Sequence, residues 1–508
     1  MKQGKVWLVG AGPGDEGLLT VKAKQLIERA DVVVYDALVG KSILAGIPSR
    51  VELLYVGKRA SHHTLPQKEI NHCLVEYARQ GKNVVRLKGG DPFLFGRGGE
   101  EIEELHRQNI DFEVVPGVPS ALAVPAYNGI PVTHRDYCSC VHIITGHKKN
   151  GERLDMDFEA LCRLGGTLVF LMGTSALGEI CQGLLLAGMS PDTPAALLSR
   201  GTTAGQQKVL ASLATLEEQT RHQQPKTPAI IVVGQVCALS QEFAWYETLP
   251  LSGMKVVVTR PRQRSRQLVE KLRQLGAEVF EIPTIVTTPI SDNRLLQEKL
   301  QQISMYQWLV FTSPTGVDIF FEECYQSRFD IRQLSCVKIA VIGEGTRKQL
   351  EKKGLQAQLM PPVYQAGALG RVLADRLNPG DHILIPRAKE GSRELLQELD
   401  RKNNVVVDDV PTYETTYPGI AETIRTEIAG EGQCITVFTS ASTVKGYIRS
   451  MEGTDFTKVY AACIGEQTGR EARHWGMKTF VAEKATVDSL VDLVLAIKRG
   501  WTERIDGI

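Results

Sequence analysis

The chain of 508 residues has no run of about 18 apolar residues, the length a membrane-crossing helix needs. Its opening, Met1-Lys2-Gln3-Gly4, leads straight into an apolar strand, so neither a signal peptide nor a membrane anchor is expected, and a cytoplasmic location is. There is no excess of either charge: 59 Lys and Arg face 58 Asp and Glu, which offers nucleic acid or an anionic membrane no basic stripe. Ten cysteines occur without a Cys-x-x-Cys pair, which argues against a metal site or a disulfide framework and for buried thiols in a reducing compartment. Cys138 and Cys140, two apart, would share one face of a strand. A third glycine is missing too. In Gly10-Ala11-Gly12-Pro13-Gly14-Asp15 the last glycine of G-x-G-x-x-G is replaced by Asp15, and Pro13 stiffens the turn, which excludes a dinucleotide site.

What is present is an alternation of short apolar strands with helical segments, the pattern of open α/β sheets that bind ligands above the carboxyl ends of their strands. At roughly 100–200 residues per domain, the length suggests three or four compact units. In the first half, strands are expected at Lys5–Val9, Asp31–Tyr35, Val51–Val56 and Phe112–Val115. Thr20 is a candidate cap for a helix ending at Arg29. The most informative stretch runs from Arg86 to Glu100. An apolar strand, Asn83 to Leu87, enters Gly89-Gly90-Asp91-Pro92, and an acidic helix, Glu100 to Arg107, follows. Adjacent glycines let the backbone approach a ligand closely, and Asp91 beside them can hold a hydroxyl or an amine. Asp36 and Lys58 each sit just beyond an apolar strand. Singly each reads as a solvated strand end; with the glycine turns they form a rim of acid, amine and backbone donors. After Gly129-Ile130-Pro131 a second lobe is expected, with strands at Val141–Thr145, Thr167–Leu171, Ala195–Ser199 and Ala229–Val233.

Residues 240–254 show no periodicity and hold a proline and a glycine, which marks a short linker at 246–254. The halves it joins, 1–245 and 255–508, are expected to lie close without sharing one core. The second half repeats itself at a distance of about 127 residues. Lys255–Thr259 corresponds to His382–Pro386, the strand before Pro283-Thr284 to that before Pro411-Thr412, Trp308–Ser313 to Ile435–Ser440, and Ile342–Thr346 to Ile464–Thr468. Two similar α/β domains are expected, with the segments near Pro283-Thr284 and Pro411-Thr412 as paired crossovers and a cleft between them. Thr-Ser pairs at strand ends offer hydroxyls and amides to anions, or cap helices only.

The ordered set GAGPGD, VVYD, VGKR, RLKGGDPFLFGRGGEE, VPG, GIPVTHR, LMG and PAIIVVG resembles the uroporphyrinogen-III C-methyltransferases of the tetrapyrrole methylase superfamily. The resemblance spans nearly all of residues 3–240. It implies a two-lobed α/β fold, lobes about 1–115 and 116–245, that binds S-adenosylmethionine between the lobes and forms a homodimer through this half. It places cofactor contacts at Pro13, Gly89, Gly90, Asp91, Leu94, Pro119, Ser120, Met172, Gly201 and Ala229. It puts a proton acceptor at Asp36 and a proton donor at Lys58. Pro119 stands where the family carries a hydroxyl residue, which leaves Ser120 to supply one. The implied substrate bears many carboxylates, for which Arg97, Arg135 and Lys58 are candidate partners.

Residues 252–500 resemble uroporphyrinogen-III synthases. That resemblance implies cyclisation of hydroxymethylbilane with inversion of its last ring, without metal or organic cofactor. It also implies two domains, one from 255–284 plus 415–508 and the other from 285–412, joined by two crossover strands. It places a cleft tyrosine at Tyr413 and carboxylate-binding hydroxyls at Thr312, Ser313, Thr439, Ser440 and Thr468. The expected whole is a bifunctional enzyme acting on small tetrapyrroles, with neither nucleic acid nor membrane as partner. Its product would be precorrin-2, on the way to sirohaem or cobalamin. The alternative for the second half is a tetrapyrrole-binding module without catalysis.

Overall fold

The computed structural model describes residues 3–57, 66–146, 156–260, 262–401, 404–429 and 433–505. The chain forms two compact units, Met1–Thr284 with Gly419–Ile508, and Ile285–Pro418.

The first unit opens with β1 (Val6–Gly10), β2 (Val32–Tyr35), β3 (Glu52–Tyr55), β4 (Val84–Lys88) and β5 (Phe112–Val115). They form a parallel sheet in the order β3-β2-β4-β1-β5. β2 and β4 are buried along their whole length, β2 as a continuous apolar run and β4 with two cations among its apolar residues. Because β1 and β4 are neighbours, the two glycine turns that follow them emerge side by side. Thr20 caps the helix Val21–Arg29, its hydroxyl accepting from the Ala23 N–H at 3.1 Å.

A second, mixed sheet follows: β6 (Val141–Thr145), β7 (Thr167–Leu171), β8 (Pro194–Ser199), β9 (Gln207–Ser212) and β10 (Ala229–Val233), in the order β6-β7-β10-β8-β9. β9 is an edge strand with little apolar periodicity, which hides it in the sequence. Cys138 and Cys140 precede β6 and so do not share a strand face, contrary to expectation. Of the ten cysteines, all free, only Cys181, Cys237, Cys324 and Cys463 are buried.

β11 (Lys255–Val258) and β12 (Glu278–Glu281) begin a third sheet, which the chain leaves at Thr284. The second unit contains β13 (Val286–Pro289), β14 (Trp308–Phe311), β15 (Lys338–Val341), β16 (His382–Ala388) and β17 (Val406–Thr416). The chain then re-enters the first unit with β18 (Cys434–Phe438), β19 (Tyr460–Cys463) and β20 (Lys478–Val481). The third sheet runs β12-β11-β18-β19-β20, and the second unit's sheet β13-β17-β16-β14-β15. The repeated segments occupy equivalent places in the two orders, with β11 matching β16, β12 matching β17, β18 matching β14 and β19 matching β15. Thr284 and Thr412 behave alike as well. Each is buried and donates its hydroxyl to a backbone carbonyl, that of Thr259 at 3.3 Å and that of Arg387 at 3.2 Å.

The halves joined by residues 246–254 do share a core, which corrects the expectation from the short linker. One apolar cluster takes Val9, Val39, Ile43 and Leu44 from the N-terminal half and Phe280, Ile282, Ile424 and Phe438 from the C-terminal half. Helix Lys41–Ala45, buried from Ser42 to Ala45, makes the join against β12 and helix Glu422–Ala429. No helix among the described residues is long and apolar enough to cross a membrane.

Candidate active sites

The first candidate site is built from backbone. Gly12 and Gly90 form a bridge between the turns after β1 and β4, with Gly90 N–H donating to Gly12 C=O at 2.7 Å and Gly12 N–H to Gly90 C=O at 3.1 Å. Gly117, just after β5, closes against both. A Cβ on Gly117 would lie 2.3 Å from the Gly90 oxygen, and one on Gly10 would lie 2.5 Å from Gly117. No side chain fits there, which is the physical reason for the glycines. Asp91 fastens the arrangement: one carboxylate oxygen accepts from Gly117 N–H at 3.0 Å, the other from Phe93 N–H at 2.8 Å. Gly90 has φ +67, and a Cβ on it would extend toward the N-terminus of helix Ser120–Tyr127, 3.7 Å from the Ser120 nitrogen. The absence of that Cβ leaves a notch about one methyl group wide between Gly90 and Ser120.

The remaining candidates lie in or beside the second sheet. Met172, after β7, has φ +55 and is 50% exposed, an unusual conformation and exposure for a thioether side chain. Gly201 follows β8 and touches helix Ser120–Tyr127, since a Cβ there would lie 2.4 Å from a Val124 methyl. Its loop also meets the first turn: Asp15 N–H donates to the Thr202 hydroxyl at 3.2 Å. Ala229 opens β10 and pairs with Ser199. Pro119 precedes Ser120 in extended geometry and gives no side-chain cap to the helix. Leu94 lies half-buried in the turn beyond Asp91.

Beneath the notch is a buried charge cluster that the sequence reading missed. The strand read there as apolar carries Arg86 and Lys88, two apart and both buried. Glu101, fully buried on helix Gly98–Arg107, takes Arg86 Nε at 3.1 Å, Lys88 Nζ at 2.9 Å and Gln67 Nε2 at 3.2 Å on one oxygen. Its other oxygen has no partner among the described residues. Arg86 Nη2 continues to Asp36 at 3.2 Å, and the second Asp36 oxygen accepts from Leu38 N–H at 3.1 Å. Burial, helped by Arg86, pulls the Lys88 ammonium below the usual lysine range, with Glu101 opposing. Removing one member of a buried ion pair costs about 3–5 kcal/mol, so the cluster stands or falls together. The signal for it was present: two cations on one face of an otherwise apolar central strand must find acids.

Lys41 was also missed. Its ammonium is lowered by burial, with Glu427 and Asp36 acting against the shift. Arg97, exposed and at φ +58, holds Glu100 in a two-pronged ion pair at 2.8 and 2.7 Å. Arg135 is exposed. Lys58 lies outside the described residues.

The second-half candidates fall in both units. In the second unit, Thr312 and Ser313 follow β14, and Ser313 caps helix Pro314–Gln326, accepting from Gly316 N–H at 2.9 Å. The Tyr413 hydroxyl lies 2.7 Å from that of Ser313, in a side chain only 7% exposed. Beside it Arg387 grips Asp409 at 2.6 and 2.7 Å. In the first unit, Thr439 and Ser440 follow β18, and Ser440 caps helix Ala441–Ser450 in a capping box with Thr443. Thr468 is buried in helix Glu466–His474. Capping thus accounts for one bond of each serine, and the Tyr413 contact is additional to it.

The sequence was compared with known proteins. The model of the tetrapyrrole (corrin/porphyrin) methylases matches residues 5–217, and that of uroporphyrinogen-III synthase HemD matches residues 266–492. A porphyrin biosynthesis protein HemD of Ruminiclostridium josui is 45% identical over 502 residues, 98% of this chain and 99% of its own. A uroporphyrinogen-III C-methyltransferase of Bacillus subtilis (strain 168) is 40% identical over 363 residues, 71% of this chain and 74% of its own. A crystal structure of uroporphyrin-III C-methyl transferase from Thermus thermophilus, complexed with S-adenyl homocysteine, is 40% identical and covers 46% of this chain and 99% of that one, with a TM-score of 0.41. With such identity to the first of these along almost its whole length, and with both family models matched in order, the chain belongs to the family in which a tetrapyrrole methylase is joined to a uroporphyrinogen-III synthase.

Proposed function

We propose that the chain closes hydroxymethylbilane to uroporphyrinogen III and then methylates that product twice, giving precorrin-2. The observation that carries this reading is the match of both families to one chain, at 5–217 and 266–492, where the product of one activity is the substrate of the other.

S-adenosylmethionine, when bound, supplies a methyl group on a sulfonium, open to displacement by an electron-rich pyrrole carbon. The notch between Gly90 and Ser120 suits it, because bare backbone there admits a close ligand and Met172 offers an exposed thioether. The protein's remaining tasks are to position the two partners and to take up one proton. Asp36 takes the proton. Arg86 and the Leu38 N–H hold one carboxylate oxygen each, which fixes its direction. Lys58 serves as the proton donor, and Arg97 and Arg135 bind substrate carboxylates. Pro13, Gly89, Gly90, Asp91, Leu94, Pro119, Ser120, Met172, Gly201 and Ala229 form the cofactor site.

In the synthase half, Tyr413 donates its phenolic proton to the departing hydroxyl of hydroxymethylbilane, which leaves as water. Ser313, anchored by the Gly316 N–H, orients that phenol. Thr312, Ser313, Thr439, Ser440 and Thr468 bind carboxylates of the substrate through hydroxyls and nearby amides. The chain works as a homodimer through its methylase half; sedimentation equilibrium showing the mass of a single chain throughout the working concentration range would exclude that.

Anaerobic incubation with freshly generated hydroxymethylbilane is expected to give the type III isomer without S-adenosylmethionine, and a doubly methylated product with it. Type I isomer alone would remove the synthase reading, and a product that stops at one added methyl would remove precorrin-2. Asp36→Asn is expected to lower kcat for methylation about 100-fold while leaving S-adenosylhomocysteine affinity as it was. Parental turnover in that variant would take the proton from Asp36. Tyr413→Phe is expected to slow ring closure about tenfold and to leave methylation of supplied uroporphyrinogen III intact. Closure at the parental rate would reduce Tyr413 to a packing residue.

A further inference from the structure

The loop between β8 and β9 is held from outside its own half. It carries Gly201 and has two non-glycine residues in the left-handed region, Arg200 at φ +46 and Thr202 at φ +69. Such residues persist where the surroundings over-determine them. Part of that support is local. Arg200 N–H donates to Pro228 C=O at 2.8 Å, Thr202 N–H to the Gln206 side chain at 2.8 Å, and Gln206 in turn to Tyr127 C=O at 3.1 Å. One further bond is different. Ala204 N–H donates to a carboxylate oxygen of Glu278 at 2.9 Å, and Glu278 is the first residue of β12, in the C-terminal half.

The contact has a second anchor nearby. Arg273 Nη2 reaches Glu16, beside the first glycine turn, at 2.5 Å and Glu281, at the far end of β12, at 3.1 Å. The Gly14 turn itself packs on the same loop, since a Cβ on Gly14 would lie 2.9 Å from a Thr203 methyl. Asp15, Thr202, Tyr246, Arg273 and Glu278 surround a cavity of about 30 Å³, room for a water or two and no larger ligand. The join is therefore a support and not a binding site. It bears on the two loops, at Gly10–Asp15 and Arg200–Gln206, that flank the notch from opposite lobes.

We infer that Glu278, a residue of the synthase half, positions the Gly201 loop of the methylase half and thereby sets its affinity for S-adenosylmethionine. The inference rests on the reading of Gly201 as part of the cofactor site. Without the carboxylate, the Ala204 N–H loses its acceptor in a nearly dry junction, and the left-handed turn relaxes away from helix Ser120–Tyr127. Glu278 touches neither cofactor nor substrate; it is a positioning residue.

The test uses the full chain with three variants, Glu278→Ala, Glu278→Asp and Glu278→Gln. Calorimetry with S-adenosylhomocysteine is read beside KM for S-adenosylmethionine, kcat and the rate of ring closure. Glu278→Ala and Glu278→Asp, one lacking the acceptor and the other drawing it back by a methylene, are expected to weaken binding about tenfold and raise KM alike. Their kcat at saturation and their ring closure are expected to stay at parental values. Glu278→Gln keeps an acceptor oxygen in place and is expected to restore the affinity, which a general loss of stability would not do. Unchanged affinity in Glu278→Asp, or no rescue by Glu278→Gln, overturns the inference. Asp91→Ala, measured alongside, separates the two readings. If it abolishes binding while Glu278→Ala and Glu278→Asp leave it untouched, the positioning role alone falls; if it also binds normally, the cofactor site falls and the inference with it.

Discussion

The methylase half depends on how closely three stretches of backbone approach one another. Gly10 ends β1, Gly90 and Gly117 follow β4 and β5, and their peptide groups meet at distances that no Cβ permits. Parallel pairing of β1 with both β4 and β5 brings these strand ends together, and Asp91 secures them by accepting from Gly117. The notch beside Gly90 is the space left over once these constraints are met. Its floor is main chain, so its shape follows from sheet register more than from any side-chain rotamer.

The charge cluster beneath it serves the same geometry from the other side. Arg86 and Lys88 could not remain on a buried strand without Glu101, and Glu101 ties helix Gly98–Arg107 to β4 at the point where the Gly89–Gly96 turn must reverse the chain. Arg86 also reaches Asp36, just beyond β2, so one guanidinium links the ends of two neighbouring strands to the buried Glu101.

Much of this was legible beforehand, because the relevant signals are local. β5, β6, β7 and β10 begin and end where runs of Val, Ile and Phe do, and the glycine turns declare themselves by composition. The internal repeat of the second half foretold the common strand order of β12-β11-β18-β19 and β17-β16-β14-β15. What escaped depends on partners distant in sequence. β13, with two of its four residues exposed, is a strand only because β17 lies antiparallel to it. Arg86 and Lys88 looked like the frayed end of an apolar run until Glu101 was seen beneath them. Glu278 carries no signal at all in a linear reading, since an acid at the start of a strand is ordinary until its oxygen is found on Ala204. The apolar continuity across residues 246–254 was hidden for the same reason: each half supplies only part of the cluster.

The third sheet has a consequence in time. Its central pair, β11 and β18, is joined across a long excursion, and the Thr259 hydroxyl that binds Val437 C=O bridges 178 residues of sequence. The entropy of closing so long a loop is met before the pair returns any stabilisation. During synthesis, the strands of the first two sheets and those of the second unit are all available before β18 leaves the ribosome, and domains form as their strands become available. β11 spends that interval as an unfinished edge, while β12 beside it carries the face against which helix Lys41–Ala45 packs. The shared core of the two halves therefore cannot be completed before β18 is made, and a chain cut short before that strand would expose it.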